Sequence, residues 1–121
     1  MARILLADDE AATRDLVRRA LEADGHCVVV MEGGNDALAR LALEPQNFDL
    51  VVTDVNMPGM DGVELSDRAR ALNPALSIVL MSGLPEQLER AKALRTPTYF
   101  TIPKPFTLEQ MRALVRKALS A

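Results

Sequence analysis

The 121-residue chain has no tryptophan, one tyrosine and three phenylalanines. Single-stranded nucleic acids are held largely by stacking on aromatic side chains, so a binder of that kind is excluded. Basic charge is not in excess either. The formal net charge is -3, which removes any general electrostatic case for direct nucleic-acid binding. There is one cysteine, Cys27, so no internal disulfide can form, which suits a reducing cytoplasm. Cys27 lies in the run Cys27-Val28-Val29-Val30-Met31 and is expected to be a buried, inert strand residue. The one histidine, His26, has no partners at metal-ligand spacing. No apolar run approaches the ~20 residues of a membrane span. The N-terminus enters a strand pattern at once, without a cleavable hydrophobic region. The expectation is one domain over residues 1–121, apolar enough at 49% to bury a single core.

Short apolar runs alternate with segments of helical period. Strands are predicted near 3–7, 27–31, 49–54, 77–81 and 98–102. They are nearly continuous in Val, Ile and Leu, as strands covered on both faces should be. One helical stripe is Leu16, Val17, Ala20 and Leu21. A second is Ala37, Leu38, Leu41 and Ala42. Met111, Leu114, Val115, Ala118 and Leu119 form a third, at i, i+3, i+4, i+7 and i+8. The punctuation agrees. Gly25 suits a left-handed helix end and Asn73-Pro74 a helix stop. Asp61 with Glu64, and Thr107 with Gln110, have capping-box spacing. Pro85 suits the first turn of a fourth helix. Five βα repeats in series predict a doubly wound α/β sheet with five strands and five helices.

Charged groups stand where these strands stop. Asp8-Asp9 follows Ile4-Leu5-Leu6-Ala7, Asp54 follows Leu50-Val51-Val52-Thr53, and Lys104 follows Tyr99-Phe100-Thr101-Ile102-Pro103. In an open parallel sheet these ends share one edge, where ligands bind. Asp54 could simply be a strand-end acid capping a loop. However, a buried carboxylate needs a counter-charge, and Lys104 is the basic residue at another strand end. Two like charges at ~4 Å repel by about 4 kcal/mol at an effective dielectric of 20. Three acids against one base therefore favour a hard divalent cation such as Mg²⁺, which takes oxygen ligands.

Four segments then carry a family resemblance: Asp8-Asp9-Glu10, Thr53-Asp54-Val55-Asn56-Met57-Pro58-Gly59-Met60-Asp61-Gly62, Met81-Ser82-Gly83 and Lys104-Pro105-Phe106. Together, in this order and at strand ends, they make the chain resemble a response-regulator receiver domain (CheY-like) over nearly its whole length. The resemblance implies a flavodoxin-like sheet of order 2-1-3-4-5 and a cis Lys104-Pro105 bond. It implies that Asp54 accepts a phosphoryl group from a histidine kinase or histidine phosphotransfer protein. It further implies Mg²⁺ held by the Asp9 and Asp54 side chains and the Asn56 backbone carbonyl, with Asp8 acting through a water. Ser82 would then hydrogen-bond the phosphoryl group, and Lys104 would pair first with Asp54 and then with that group. The chemistry is self-consistent. Phosphoryl transfer needs an in-line nucleophile and charge neutralisation, and a carboxylate is already ionised at neutral pH.

A hydrolase with an aspartate nucleophile would usually carry a second aspartate two residues on. Here that position is Asn56, so no enzyme turning over external substrates is expected. The family often has an aromatic three residues before the lysine, and here that position is Thr101. Thr101 and Pro103 keep open a rival reading, a phosphorylation-independent binding module. A stand-alone regulator and a receiver cut from a hybrid kinase or larger regulator also remain open. The downstream partner is expected on the face of helix 4, strand 5 and helix 5, where Arg90, Lys92, Arg95, Arg112, Arg116 and Lys117 fall or lie nearby.

Overall fold

The computed structural model describes residues 2–84, 86, 89 and 99–120. Five parallel strands form one sheet of order β2-β1-β3-β4-β5. They are β1 (Arg3–Ala7), β2 (Cys27–Met31), β3 (Leu50–Asp54), β4 (Ser77–Ser82) and β5 (Tyr99–Pro103). Four helices are present among the described residues: α1 (Ala11–Ala23), α2 (Gly34–Leu43), α3 (Gly62–Leu72) and α4 (Leu108–Leu119). Most of the expected helix near Pro85, with Arg90, Lys92 and Arg95, lies outside the described residues; within it Glu86 and Glu89 are helical. Among the described residues no helix is long and apolar enough to cross a membrane.

Strand alternation divides the core into two layers. Leu5, Val51, Ile78 and Leu80 face one way and pack with Leu41 of α2 and Leu65 and Ala69 of α3. Ile4, Leu6, Val52 and Val79 face the other way and pack with Val17 and Leu21 of α1 and Met111 and Val115 of α4. The central strands β1, β3 and β4 are buried almost throughout, as their continuous apolar sequences predict.

The edges correct two expectations. Cys27 is exposed, because β2 pairs only with β1 and lies at the sheet margin. An apolar run marks a strand, but not whether the strand is central. Leu16, expected in the buried stripe of α1, is 53% exposed, while Val17, Ala20 and Leu21 fill the core. At the opposite margin Pro103 ends β5, where a missing ladder donor is tolerated.

The helix ends follow their local signals. Gly25 has φ +90° just after α1. Asp61 Oδ1 accepts the Glu64 N–H at 2.9 Å and caps α3. Thr107 and Gln110 close a full capping box on α4, with bonds of 3.1 and 2.8 Å. Arg112 and Arg116 of α4 turn toward Asp24 at the end of α1. The bonded Arg112 guanidinium holds the Asp24 carboxyl below its usual range. These two arginines therefore staple α4 to α1 instead of forming a free basic stripe.

Thr107→Ala removes the side-chain half of the α4 cap. It should lower the unfolding free energy by about 1 kcal/mol, read from a shifted urea midpoint with an unchanged slope.

Candidate functional site

The site is built on the turns that leave β1 and β3 and on the residue that follows β5. Asp8 and Asp9 begin the β1–α1 turn. The Asp8 N–H extends the sheet ladder to the Met31 carbonyl at 3.2 Å. Asp8 Oδ1 accepts the Glu10 N–H at 2.9 Å, and Arg14 Nη1 donates to the Asp8 carbonyl at 2.8 Å. Asp54 is the last residue of β3, and its Oδ1 accepts the Asn56 N–H at 3.1 Å. Lys104 follows β5, with its backbone N–H on the Ser82 carbonyl at 2.8 Å. The Lys104–Pro105 peptide bond is cis.

Lys104 Nζ lies 2.6 Å from Asp54 Oδ2. Asp8, Asp9 and Asp54 each place one carboxylate oxygen within 4.8 Å of the other two. Asp8 and Asp54 are buried and Asp9 is exposed. An open cleft of about 570 Å³ leads to them, lined by Asp9, Glu10, Asp54, Asn56, Gly83, Leu84 and Lys104. The Ser82 hydroxyl is buried under the rim. It accepts the Leu84 N–H at 3.1 Å and donates to the Leu84 carbonyl at 3.4 Å. Asp9, Asp54, Asn56 and Lys104 thus share one cleft, Asp8 is buried against the two acids, and the Ser82 hydroxyl is engaged with the loop beside it.

The electrostatics are unbalanced. Burial pushes the Asp8 carboxyl above its usual range, and the charges of Asp54 and Asp9 add to this against the Glu10 hydrogen bond and Lys104. Partial burial disfavours the Lys104 ammonium. The Asp54 hydrogen bond and the charges of Asp54, Asp8 and Glu10 outweigh that and hold Lys104 above its ordinary value. Asp8 Oδ2 is buried without a hydrogen-bond partner. An unpaired buried carboxylate oxygen is costly. Three carboxylates against one ammonium leave an excess of two negative charges. An oxygen-only donor set with this excess fits a hard divalent cation.

Two positioning elements escaped the sequence reading. A Cβ on Gly62 would stand 2.2 Å from the Asp54 carbonyl oxygen, so only glycine lets α3 start this close to the acid. Gly62 lay inside a recognised segment, but its spacing said nothing of this approach. Arg14 carried no local signal at all. Its neighbours Arg18 and Arg19 pair along α1 with Asp15 and Glu22, while Arg14 reaches back to the turn.

The doubly wound parallel sheet thus carries an acid trio and a lysine at its carboxyl edge. Residues 4–116 match the response regulator receiver domain, and the chain belongs to that family. It is 36% identical over 119 residues to the response regulator MprA of Mycolicibacterium vanbaalenii, covering 95% of this chain and 51% of that protein. The chain therefore spans about half the length of that regulator. The receiver domain of NtrX from Brucella abortus superposes with a TM-score of 0.85 at 32% identity, covering 98% of each chain. The receiver domain of the hybrid histidine kinase CckA gives 0.83 at 29%, covering 97% of this chain and 98% of that one. Receiver domains are signalling modules of two-component systems and generally bind Mg²⁺ in an acidic pocket.

Asp8→Asn keeps the acceptor for Glu10 and removes a buried charge. Because the folded-state pKa of Asp8 is raised, the unliganded wild type loses stability as pH climbs from the unfolded value through the folded one. Above that range the variant should be the more stable, by about 1–3 kcal/mol, the usual cost of a buried polar group left without a partner. Thermal melts in chelator across roughly pH 4–8 check this. A variant no more stable than wild type at the upper end would contradict it.

Proposed function

We propose that the domain over residues 1–121 accepts a phosphoryl group on Asp54 from a histidine kinase or histidine phosphotransfer protein, and signals through the resulting change of shape. The observation that carries this is the buried Asp54 carboxylate, held at 2.6 Å by Lys104 beside two further acids and open to a cleft. A carboxylate oxygen of Asp54 forms a bond to phosphorus as the phosphorus–imidazole bond breaks. The electron pair leaves with the imidazole, which takes a proton from solvent. The Asn56 N–H and Lys104 aim the nucleophile, and Lys104 follows the charge onto the phosphoryl oxygens. Asp9, Asp54 and the Asn56 carbonyl would hold Mg²⁺, with Asp8 acting through a water. When bound, the ion supplies neutralisation of phosphoryl charge.

The Ser82 hydroxyl, which now bonds the Leu84 backbone, exchanges that partner for a phosphoryl oxygen. The rim loop moves with it, and a downstream protein that prefers this state is recruited. The chain modifies itself and turns over no external substrate. The same chemistry serves a stand-alone regulator or a receiver joined to a larger protein, in the cytoplasm in either case.

Thr101 favours a second reading of the output step. It occupies the position where the family often has an aromatic, and it sits half-buried on β5 in register with Leu80. The nearby aromatic on the same face is not free to replace it. The Tyr99 hydroxyl is bonded to Asp67, and the Arg70 guanidinium lies 5.3 Å from the ring centre. Burial and the Asp67 charge push that phenol up to about 12. Partner binding independent of phosphorylation would fit this arrangement.

Incubation with acetyl phosphate and Mg²⁺ should add one phosphoryl mass to the wild type and none to Asp54→Asn. Chelator should abolish the gain, and an equal gain in the variant would end the proposal. The donor protein is expected on the apolar groove beside Lys104, lined by Leu16, Val17, Pro105, Phe106 and Leu108. Leu16→Glu should slow phosphotransfer from a phosphohistidine protein at least roughly tenfold, a hot-spot-sized loss. Labelling by acetyl phosphate, which needs no docking surface, should be unchanged.

A further inference from the structure

Asn56 sits on a short arch between Asp54 and Gly62. Both feet of the arch are fixed. The Asn56 N–H donates to Asp54 Oδ1 at 3.1 Å, and the Gly62 N–H donates to the Val55 carbonyl at 2.9 Å. Its inner side is anchored by Met57 and Met60, both buried in the core layer that includes Ala37 and Leu41 of α2. The crown presses on the first turn of α2. A Cβ on Gly34 would stand 2.6 Å from the Met60 carbonyl oxygen and 3.0 Å from Met60 Cβ. A flexible side chain could yield at that distance, but a backbone carbonyl yields only if the arch moves. The next contact is also close. Gly59 has φ +74°, and a Cβ there would lie 3.4 Å from Asn35 Nδ2.

No acid of the site lies on α2, and the contact of Gly34 with Met60 bears on the site through the arch. We infer that Gly34 is a positioning residue for the site. The bare first turn of α2 sets the height of the arch and thereby the place of the Asn56 backbone over the acid trio. The inference rests on the phosphoacceptor reading, in which the Asn56 carbonyl is one of the groups that hold Mg²⁺. That ion demands near-ideal octahedral geometry at about 2.0–2.1 Å, so a displacement of one of its oxygens weakens its hold. Gly34 would thus tune metal affinity without touching metal, nucleophile or phosphoryl group.

The competing explanation is a glycine whose replacement only lowers stability. Val115 separates the two. It lies on α4, fully buried in the core layer opposite the one that holds Met57 and Met60 of the arch. Gly34→Ala, Val115→Ala and wild type are compared in the full chain by thermal melting and by calorimetric titration with MgCl₂. Both variants should melt earlier than wild type. Gly34→Ala should raise the Mg²⁺ dissociation constant roughly tenfold, as loss of groups supporting a metal site does. Val115→Ala should leave that constant unchanged. In acetyl phosphate labelling, the half-saturating Mg²⁺ concentration should rise by the same factor for Gly34→Ala, with the rate at saturating Mg²⁺ restored. Met60→Ala releases the arch without adding an atom and should raise the dissociation constant in the same direction, which covers a Gly34→Ala chain that fails to fold. Unchanged affinity in Gly34→Ala or in Met60→Ala, or an equal loss in Val115→Ala, overturns the inference. Wild type that binds no Mg²⁺ overturns the phosphoacceptor reading instead.

Discussion

The site depends on one ion pair that reaches across a strand. Asp54 ends β3 and Lys104 follows β5, and β4 lies between them. The 2.6 Å contact passes over the end of β4, where the small residues Ser82 and Gly83 follow one another. A Cβ on Gly83 would only graze the Lys104 Cβ, at 3.8 Å. The pair couples two strand ends that are not adjacent at the carboxyl edge of the sheet. Its distance depends on the register of β3, β4 and β5, in which Asp54 aligns with Met81 and Ser82 with Pro103.

Around that pair the fold tolerates an unfavourable charge arrangement. Asp8 is fully buried, its carboxyl pushed up by burial and by its acidic neighbours, and one of its oxygens has no partner. A stability-optimised protein would not keep such a group. The rest of the domain supports it with ordinary means: two well-filled core layers, helix caps, and the Arg112 and Arg116 contacts that join α4 to α1. Asp54 ends β3 and is fixed there by Lys104 and the Asn56 N–H, while the hydroxyl of Ser82, at the end of β4, bonds the Leu84 backbone of the rim loop.

Much of this was legible from residue order. The strand runs, the caps at Asp61 and Thr107, the left-handed Gly25 and the cis Lys104–Pro105 bond all follow from local chemistry or from family resemblance. The expectations that failed share one cause. Cys27 is exposed because β2 has a neighbour on one side only, and Leu16 faces a groove instead of the core. Apolar content tells which segments are strands and helices, but not which element covers them. Arg112 and Arg116 were expected on or near the partner face, and their pairing with Asp24, far away in the chain, had no local signal.

The order of residues alone settled the chemistry available to this protein. It placed acids and a lysine directly after apolar strands, and the backbone of a parallel sheet must bring such ends to one edge. Distances, burial and neighbours came only with packing. Lys104 meets Asp54 across fifty positions, Arg14 turns back to Asp8, and Gly62 and Gly34 leave room for an arch whose carbonyls no side chain could share. Such contacts depend on how two layers of helices settle against a twisted sheet, and no local run of residues encodes that settlement.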